Sequence, residues 1–167
     1  APTDVVAKER EKIADNQRLL CASPAYLRAH GEPKTPTELA RHNFISIRQG
    51  GEAYGVVKLT RGKQGPTETI KTRGNLTTND GSIAVQWALD GHGLLLRAEW
   101  DIRQHLATGQ LVQVLPQHHT PDADIYAVYP AQRKSAARVR AFVDFVGESL
   151  NGAQDPVFRN AADWVAP

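Results

Sequence analysis

The sequence predicts an α/β fold, with a mainly parallel or mixed sheet flanked by helices. Three observations carry that prediction. Short apolar runs alternate along the chain with stretches whose apolar residues recur every three or four positions. Leu94-Leu95-Leu96 is apolar at every position, as suits a strand buried on both faces. Gly and Pro, with Ser, Thr, Asn or Asp beside them, punctuate the alternation where helices start and stop.

In order, Arg18 to Ala22 forms a short strand-like run that Ser23-Pro24 stops. Ser23 is a good N-cap and Pro24 suits the first helical position, so a helix should run through Ala25, Tyr26 and Leu27 toward Gly31. Thr35-Pro36 starts a second helix containing Glu38, Leu39 and Ala40, and a strand from Phe44 to Ile47 follows. Gly50-Gly51 turns the chain into a strand from Tyr54 to Leu59, and Gly62 to Pro66 makes the next turn. Glu68 to Asn75 is charged and reads as an exposed strand. Asp80 or Asn79 caps a helix with Ile83, Val85, Trp87 and Leu89 around Ala84 and Ala88, which Gly91 and Gly93 end, one of them in the left-handed position. After the buried strand at Leu94 to Leu96 comes a helix through Ile102, His105 and Leu106, ended by Gly109, and then a strand at Leu111 to Leu115. Ile125 to Tyr129 reads as another buried strand. The last helix, which Ser135 can cap, runs to about Leu150, with Val139, Phe142, Val143 and Val146 forming one apolar face.

Composition bounds the function. At 167 residues, 41% hydrophobic and 23% charged, the chain suits one folded domain or two small lobes sharing a core. No run approaches the roughly 18 apolar residues of a membrane span, and no signal-peptide pattern is visible, so neither a membrane nor export is expected. The net charge of +2 is small and its basic residues are scattered, which makes this segment a poor direct DNA binder. Cys21 has no partner for an internal disulfide, and Leu19, Leu20 and Ala22 around it predict a buried structural thiol. The chain begins at Ala1 and contains no Met, so it is expected to be a piece of a longer protein.

No catalytic constellation stands out. His92, His105 and the adjacent His118-His119 lack the i, i+4 spacing beside a carboxylate that a helical zinc site needs, and His118-His119 reads as a loop between Pro residues. Ser23 and Ser46 sit in no GxSxG elbow, and the GHG at 91–93 follows a helix instead of opening one. Asp15, Asp80 and Asp90 stand singly, as caps or solvated charges. Neither an enzyme, nor a metal, nor a cofactor is expected.

The series LCASPAYL at 20–27, NDGSIAVQWALDGHG at 79–93 and DIYAVYP at 124–130 resembles the effector-binding domain of LysR-type transcriptional regulators. TPTELARHNFI at 35–45, GQLVQVLP at 109–116 and RVRAFVDFV at 138–146 fit the same order, so the resemblance covers roughly residues 5 to 150. It implies a periplasmic-binding-protein-like (type 2) α/β fold of two lobes joined by crossing strands, with the inducer in the cleft between them. On that basis residues 1–22 are a remnant of the first lobe and a crossing strand, 23–122 a complete second lobe, and 123–150 the return strand and helix to an incomplete first lobe. Residues 151–167, with Trp164, have no family counterpart, and Arg97-Ala98-Glu99-Trp100 stands where many members have Leu-Pro. The family's winged helix-turn-helix, linker helix and opening elements are absent from the segment. Val5 to Leu20 scores by periodicity as an amphipathic helix, with Val6, Ile13 and Leu20 in heptad register, whereas the resemblance makes most of it two strands; the resemblance is preferred.

The resemblance also places candidate ligand contacts. Helix N-termini favour anions, and hydroxyl or amide groups that touch the inducer in better-known members correspond to Ser23, Thr78 and Asn79 here. Ser23 and Asn79 are equally readable as helix caps alone, and one side chain can serve both roles; Thr78 is the weaker candidate for ligand contact. Ser46, Arg48 and Gln49 lie where a strand delivers its C-terminal end, the edge at which open α/β sheets collect ligands. Arg48 suits an effector carboxylate, although an Arg at a strand end is more often a solvated surface residue. Tyr126 and Trp100 are candidate pocket linings, and aromatic residues on such elements are more often core.

Two functions follow. One is a cytoplasmic sensor that binds a small-molecule effector, a carboxylate or other anion, and acts on DNA only through a helix-turn-helix domain outside this segment. Such regulators are homodimers or tetramers when full length. The other is a solute-binding protein of a transport system, which shares the lobed fold; the motif order and the lack of secretory features favour the regulator.

Overall fold

The computed structural model describes residues 8–48, 55–62, 65–121, 123–130 and 137–151. In chain order the elements are β1 (Lys8–Ala14), β2 (Arg18–Ala22), α1 (Pro24–His30), β3 (Phe44–Ile47), β4 (Val56–Arg61), β5 (Thr67–Lys71) and β6 (Thr77–Thr78). They continue with α2 (Gly81–Leu89), β7 (Leu94–Ala98), α3 (Glu99–Ala107), β8 (Val112–Gln113), β9 (His118–His119), β10 (Ile125–Pro130) and α4 (Ala137–Asn151). Two compact units result: Asn16–Ala123, and the described parts of Ala1–Asp15 with Asp124–Pro167.

The larger unit is built on a mixed five-stranded sheet in the order β6-β3-β7-β2-β8. β6, β3 and β7 run parallel, and β2 is antiparallel to both β7 and β8. Strand alternation explains how this sheet feeds two cores. Leu20, Ala22, Phe44 and Leu94 point to one face, where they pack with Tyr26 of α1, Leu39, and Val57, Leu59 and Ile70 of an antiparallel sheet ordered β5-β4-β9. Cys21, Ile45 and Leu95 point to the other face and pack against Ala84, Val85 and Ala88 of α2 and Ile102 of α3. Helices therefore cover one face, while the second sheet and α1 cover the other.

Most expected elements are present, with physical reasons for the differences. The segment at 8–22 is two strands, as the resemblance implied and against the helical periodicity. Thr35-Pro36 opens a 3-10 turn, Pro36–Arg41, where an α-helix was expected. Its start is held by side chains: Thr35 Oγ1 donates to Glu38, whose carboxylate also accepts from the Lys34 N–H at 2.8 Å. The strand expected at Leu111 to Leu115 pairs only at Val112–Gln113, because Leu111, Val114 and Leu115 turn inward to fill the cores and Leu115 takes φ 51. The exposed strand at Glu68 to Asn75 shortens to β5, and Ile70 and Thr72 within that stretch are buried. His118-His119 is a short strand paired with Thr60 and Arg61, not a loop. Gly91, at φ 84, supplies the left-handed residue after α2. Tyr54, the Gly50-Gly51 turn, Ser135 and the tail beyond Asn151 lie outside the described residues.

The smaller unit pairs β1 with β10 as an antiparallel ribbon against α4. β10 is not a buried strand: in a two-stranded ribbon only one face meets the helix, so its residues alternate between half-buried and exposed, and Val128 is 60% exposed. In α4 Val143 is buried, Val139 and Val146 are half-buried, and Phe142 is 66% exposed, so Phe142 leaves the expected apolar face. Lys12 bridges Asp15 and Asp124, and both carboxylates hold its ammonium above the usual lysine range.

Candidate functional site

The parallel strands β3 and β6 end side by side. Ser46 pairs with Thr77 and Ile47 with Thr78, and the Arg48 N–H donates to the Thr78 carbonyl at 2.8 Å. Beyond Thr78 the chain turns directly into α2. Thr78 Oγ1 accepts from the Asp80 N–H at 3.0 Å, and Asp80 Oδ1 accepts from the N–H groups of Ser82 at 2.7 Å and Ile83 at 3.3 Å. Asp80 is thus the cap. Asn79 caps nothing, because it precedes the residue whose extended backbone aims a side chain at the first free amides, and the carboxylate there also suits the helix dipole. Ser46 and Thr78 are half-buried, and Arg48 and Asn79 are exposed. The structure therefore brings Ser46, Arg48, Thr78 and Asn79 to one end of the sheet. Gln49 lies outside the described residues.

Ser23 is elsewhere. It is 3% exposed and caps α1 by accepting from the Tyr26 N–H at 3.3 Å. Cys21 and Ile45 both register with Leu95, and β2 runs opposite to β3, so Ser23 lies where β3 begins and Arg48 where it ends. Five strand positions separate the two levels, roughly 16 Å along the sheet. Tyr126 belongs to the smaller unit, where it is exposed and the Arg10 guanidinium sits 3.7 Å above its ring. Trp100 is 52% exposed on α3 and not part of the core.

Arg97 was not among the candidates. It is the last residue but one of β7, the strand beside β3, and its guanidinium lies over Gly81, the first residue of α2, where a Cβ would stand 2.0 Å from Nη2 and 2.3 Å from Cζ. Its Nε donates to Asp101 of α3. One sequence signal pointed there, namely that Arg97-Ala98-Glu99-Trp100 departs from the pattern the resemblance implied. Among the described residues no His, Cys, Asp or Glu cluster could hold a metal ion, and no helix is long and apolar enough to cross a membrane.

Residues 7–151 match the model of the LysR substrate binding domain. Over 135 residues the chain is 43% identical to the HTH-type transcriptional regulator DmlR of Escherichia coli strain K12, covering 81% of this chain and 43% of that protein. It is 37% identical over 134 residues to the HTH-type transcriptional activator TtdR of the same strain, covering 80% of this chain and 42% of that protein. Among solved structures it is similar to the full-length Vibrio cholerae virulence activator AphB, a member of the LTTR protein family, with TM-score 0.71 and 28% identity over 90% of this chain and 50% of that one. The chain spans less than half the length of these curated relatives. It belongs to the LysR substrate-binding domain family.

Proposed function

We propose that this chain is the effector-sensing part of a LysR-type, DNA-binding transcriptional regulator. A small carboxylate or other anion binds at the ends of β3 and β6, against Ser46, Arg48, Gln49, Thr78 and Asn79. The observation that supports the site is that Ser46, Arg48, Thr78 and Asn79 all lie where two parallel strands end and α2 begins, the edge at which such sheets take ligands. Ser23 and Tyr126 stand outside this proposal, Ser23 as a buried cap at the other end of the sheet and Tyr126 as a residue of the smaller unit.

Asn16–Ala123 is then the second lobe of the sensor. The effector works by binding one arrangement of the regulator more tightly than another, so its influence is limited by that difference in affinity. DNA is contacted through a helix-turn-helix domain elsewhere in the regulator, which is cytoplasmic, non-enzymatic, and a dimer or tetramer. Transport is the less favoured reading, because the relatives are named as transcriptional regulators.

A thermal-shift screen with acetate, succinate, benzoate and free amino acids tests the site. A compound present at a hundred times its Kd stabilises the chain by about 2.7 kcal/mol. That stabilisation should be lost in Thr78→Val and Asn79→Ala. An undiminished shift in both variants would remove the site from this end of the sheet.

A further inference from the structure

We infer that Arg97 is the residue that reads the charge of the effector, through the partly exposed guanidinium that packs on the first turn of α2. The inference rests on the strand-end site proposed above. β3 and β7 pair at Phe44–Leu94 and Ile45–Leu95; carried two residues further, that register sets Arg97 level with Ile47, which itself pairs with Thr78, in one row across β7, β3 and β6. Adjacent strands lie about 4.8 Å apart, so this row is narrow enough for one small molecule to touch both of its ends.

Three observations single out Arg97. First, its side chain is 18% exposed, so its charge is largely withdrawn from water yet still reachable. Second, its only hydrogen bond among the described residues runs from Nε to Asp101, which leaves the Nη groups to donate elsewhere. A guanidinium presents two parallel donors to a carboxylate, and the part of Arg97 that neither Asp101 nor Gly81 covers can supply them. Third, Gly81 makes the room. Glycine is a poor helix former, and at the first position of α2 it costs helix stability relative to Ala; its missing Cβ is the space the guanidinium fills. The helix end is not the open site, since the Asp80 carboxylate already takes the amides of Ser82 and Ile83. Asp101 serves as the resting counter-ion, holding Arg97 by one edge while the uncovered part receives the effector oxyanion.

The test compares succinate and benzoate with their uncharged amides, succinamide and benzamide, by calorimetric titration of the 167-residue chain and of its variants. The wild type should bind an acid and prefer it to the matching amide. Arg97→Leu should weaken the acid about 10- to 100-fold and leave the amide unchanged, the loss expected of a charge-assisted hydrogen bond. Arg97→Lys should recover part of that loss. Gly81→Ala separates reading from architecture. The added methyl meets only the far end of a flexible side chain, so the variant should melt at or above the wild-type temperature while binding the acid more weakly. Undiminished acid binding in Arg97→Leu, with Thr78→Val still abolishing it, would overturn the role of Arg97 and leave the strand-end site standing. No binding by the wild type of any acid or amide would overturn both.

Discussion

At the scale of single residues, the polar side chains divide by whether their partners are near in sequence. Ser23-Pro24 announced a helix start, and Ser23 is that cap, because a cap needs only amides two or three residues on. Arg97 could not be read this way, since its surroundings come from Gly81 and Asp101 on two other elements. Asn79 and Asp80 were interchangeable in the sequence; only the backbone angles decide which aims at the helix. Cys21 is the buried thiol its neighbours suggested, pushed up by burial to about 12, so it is neither a ready nucleophile nor a ready metal ligand at neutral pH. A pH response is built around Tyr26. Its hydroxyl accepts from the Asn43 N–H at 3.0 Å and lies 3.2 Å from His42 Nδ1, to which it can donate its own hydrogen when that nitrogen carries none. That arrangement wants a neutral His42, and burial, then the neighbouring charge of His30, holds this imidazole below the ordinary histidine value of 6.5, against the opposing pull of Glu38. An unfolded chain binds that proton more readily, so this contribution to stability is present above pH 6.5 and is lost as pH falls through the folded value. Melting temperature should therefore decline between pH 7 and pH 5 more steeply in the wild type than in His42→Gln; parallel curves would exclude His42 as the source.

At the scale of elements, periodicity found the strands and helices but not always which of their faces are covered. Leu94-Leu95-Leu96 looked buried on both sides, and its first two residues do enter opposite cores. Ile125 to Tyr129 looked the same, yet it belongs to a ribbon with one helix behind it, and no local pattern could show how many layers surround a strand. The shortening of the strand at Leu111 to Leu115 has a related origin: the adjacent side chains of Val114 and Leu115 enter the same core, which the alternation of a straight paired strand does not allow. The contrast is measurable by urea denaturation. Leu95→Ala should cost about 2 to 5 kcal/mol, since it empties a fully buried position between β7 and α2. Val128→Ala should cost less than about 0.5 kcal/mol, as its side chain already meets water. Equal costs would contradict the two environments.

At the scale of the whole molecule, the family and the order of its parts were legible because several motifs recur in sequence along the chain, while the layers around each strand and the packing of Arg97 on Gly81 were not. Asn16 and Ala123, the ends of the larger unit, are tied to each other: the Ala123 N–H donates to the Asn16 carbonyl, and Asn16 Nδ2 donates to the Ala123 carbonyl, both at 3.1 Å. A chain cut to residues 16–123 should therefore fold by itself and melt in one cooperative transition when followed by circular dichroism. A broad, non-cooperative melt would show that the larger unit depends on β1 or β10. The same pair of hydrogen bonds sets an order of events during synthesis. β1 emerges from the ribosome before any residue of the larger unit and must wait for β10, more than a hundred residues later, before it has a partner. Closing so long a loop in an unfolded chain costs about 4 kcal/mol in entropy. Once residues 16 to 123 have folded and joined their own ends, that loop is already closed, and the ribbon can zip as soon as β10 has emerged.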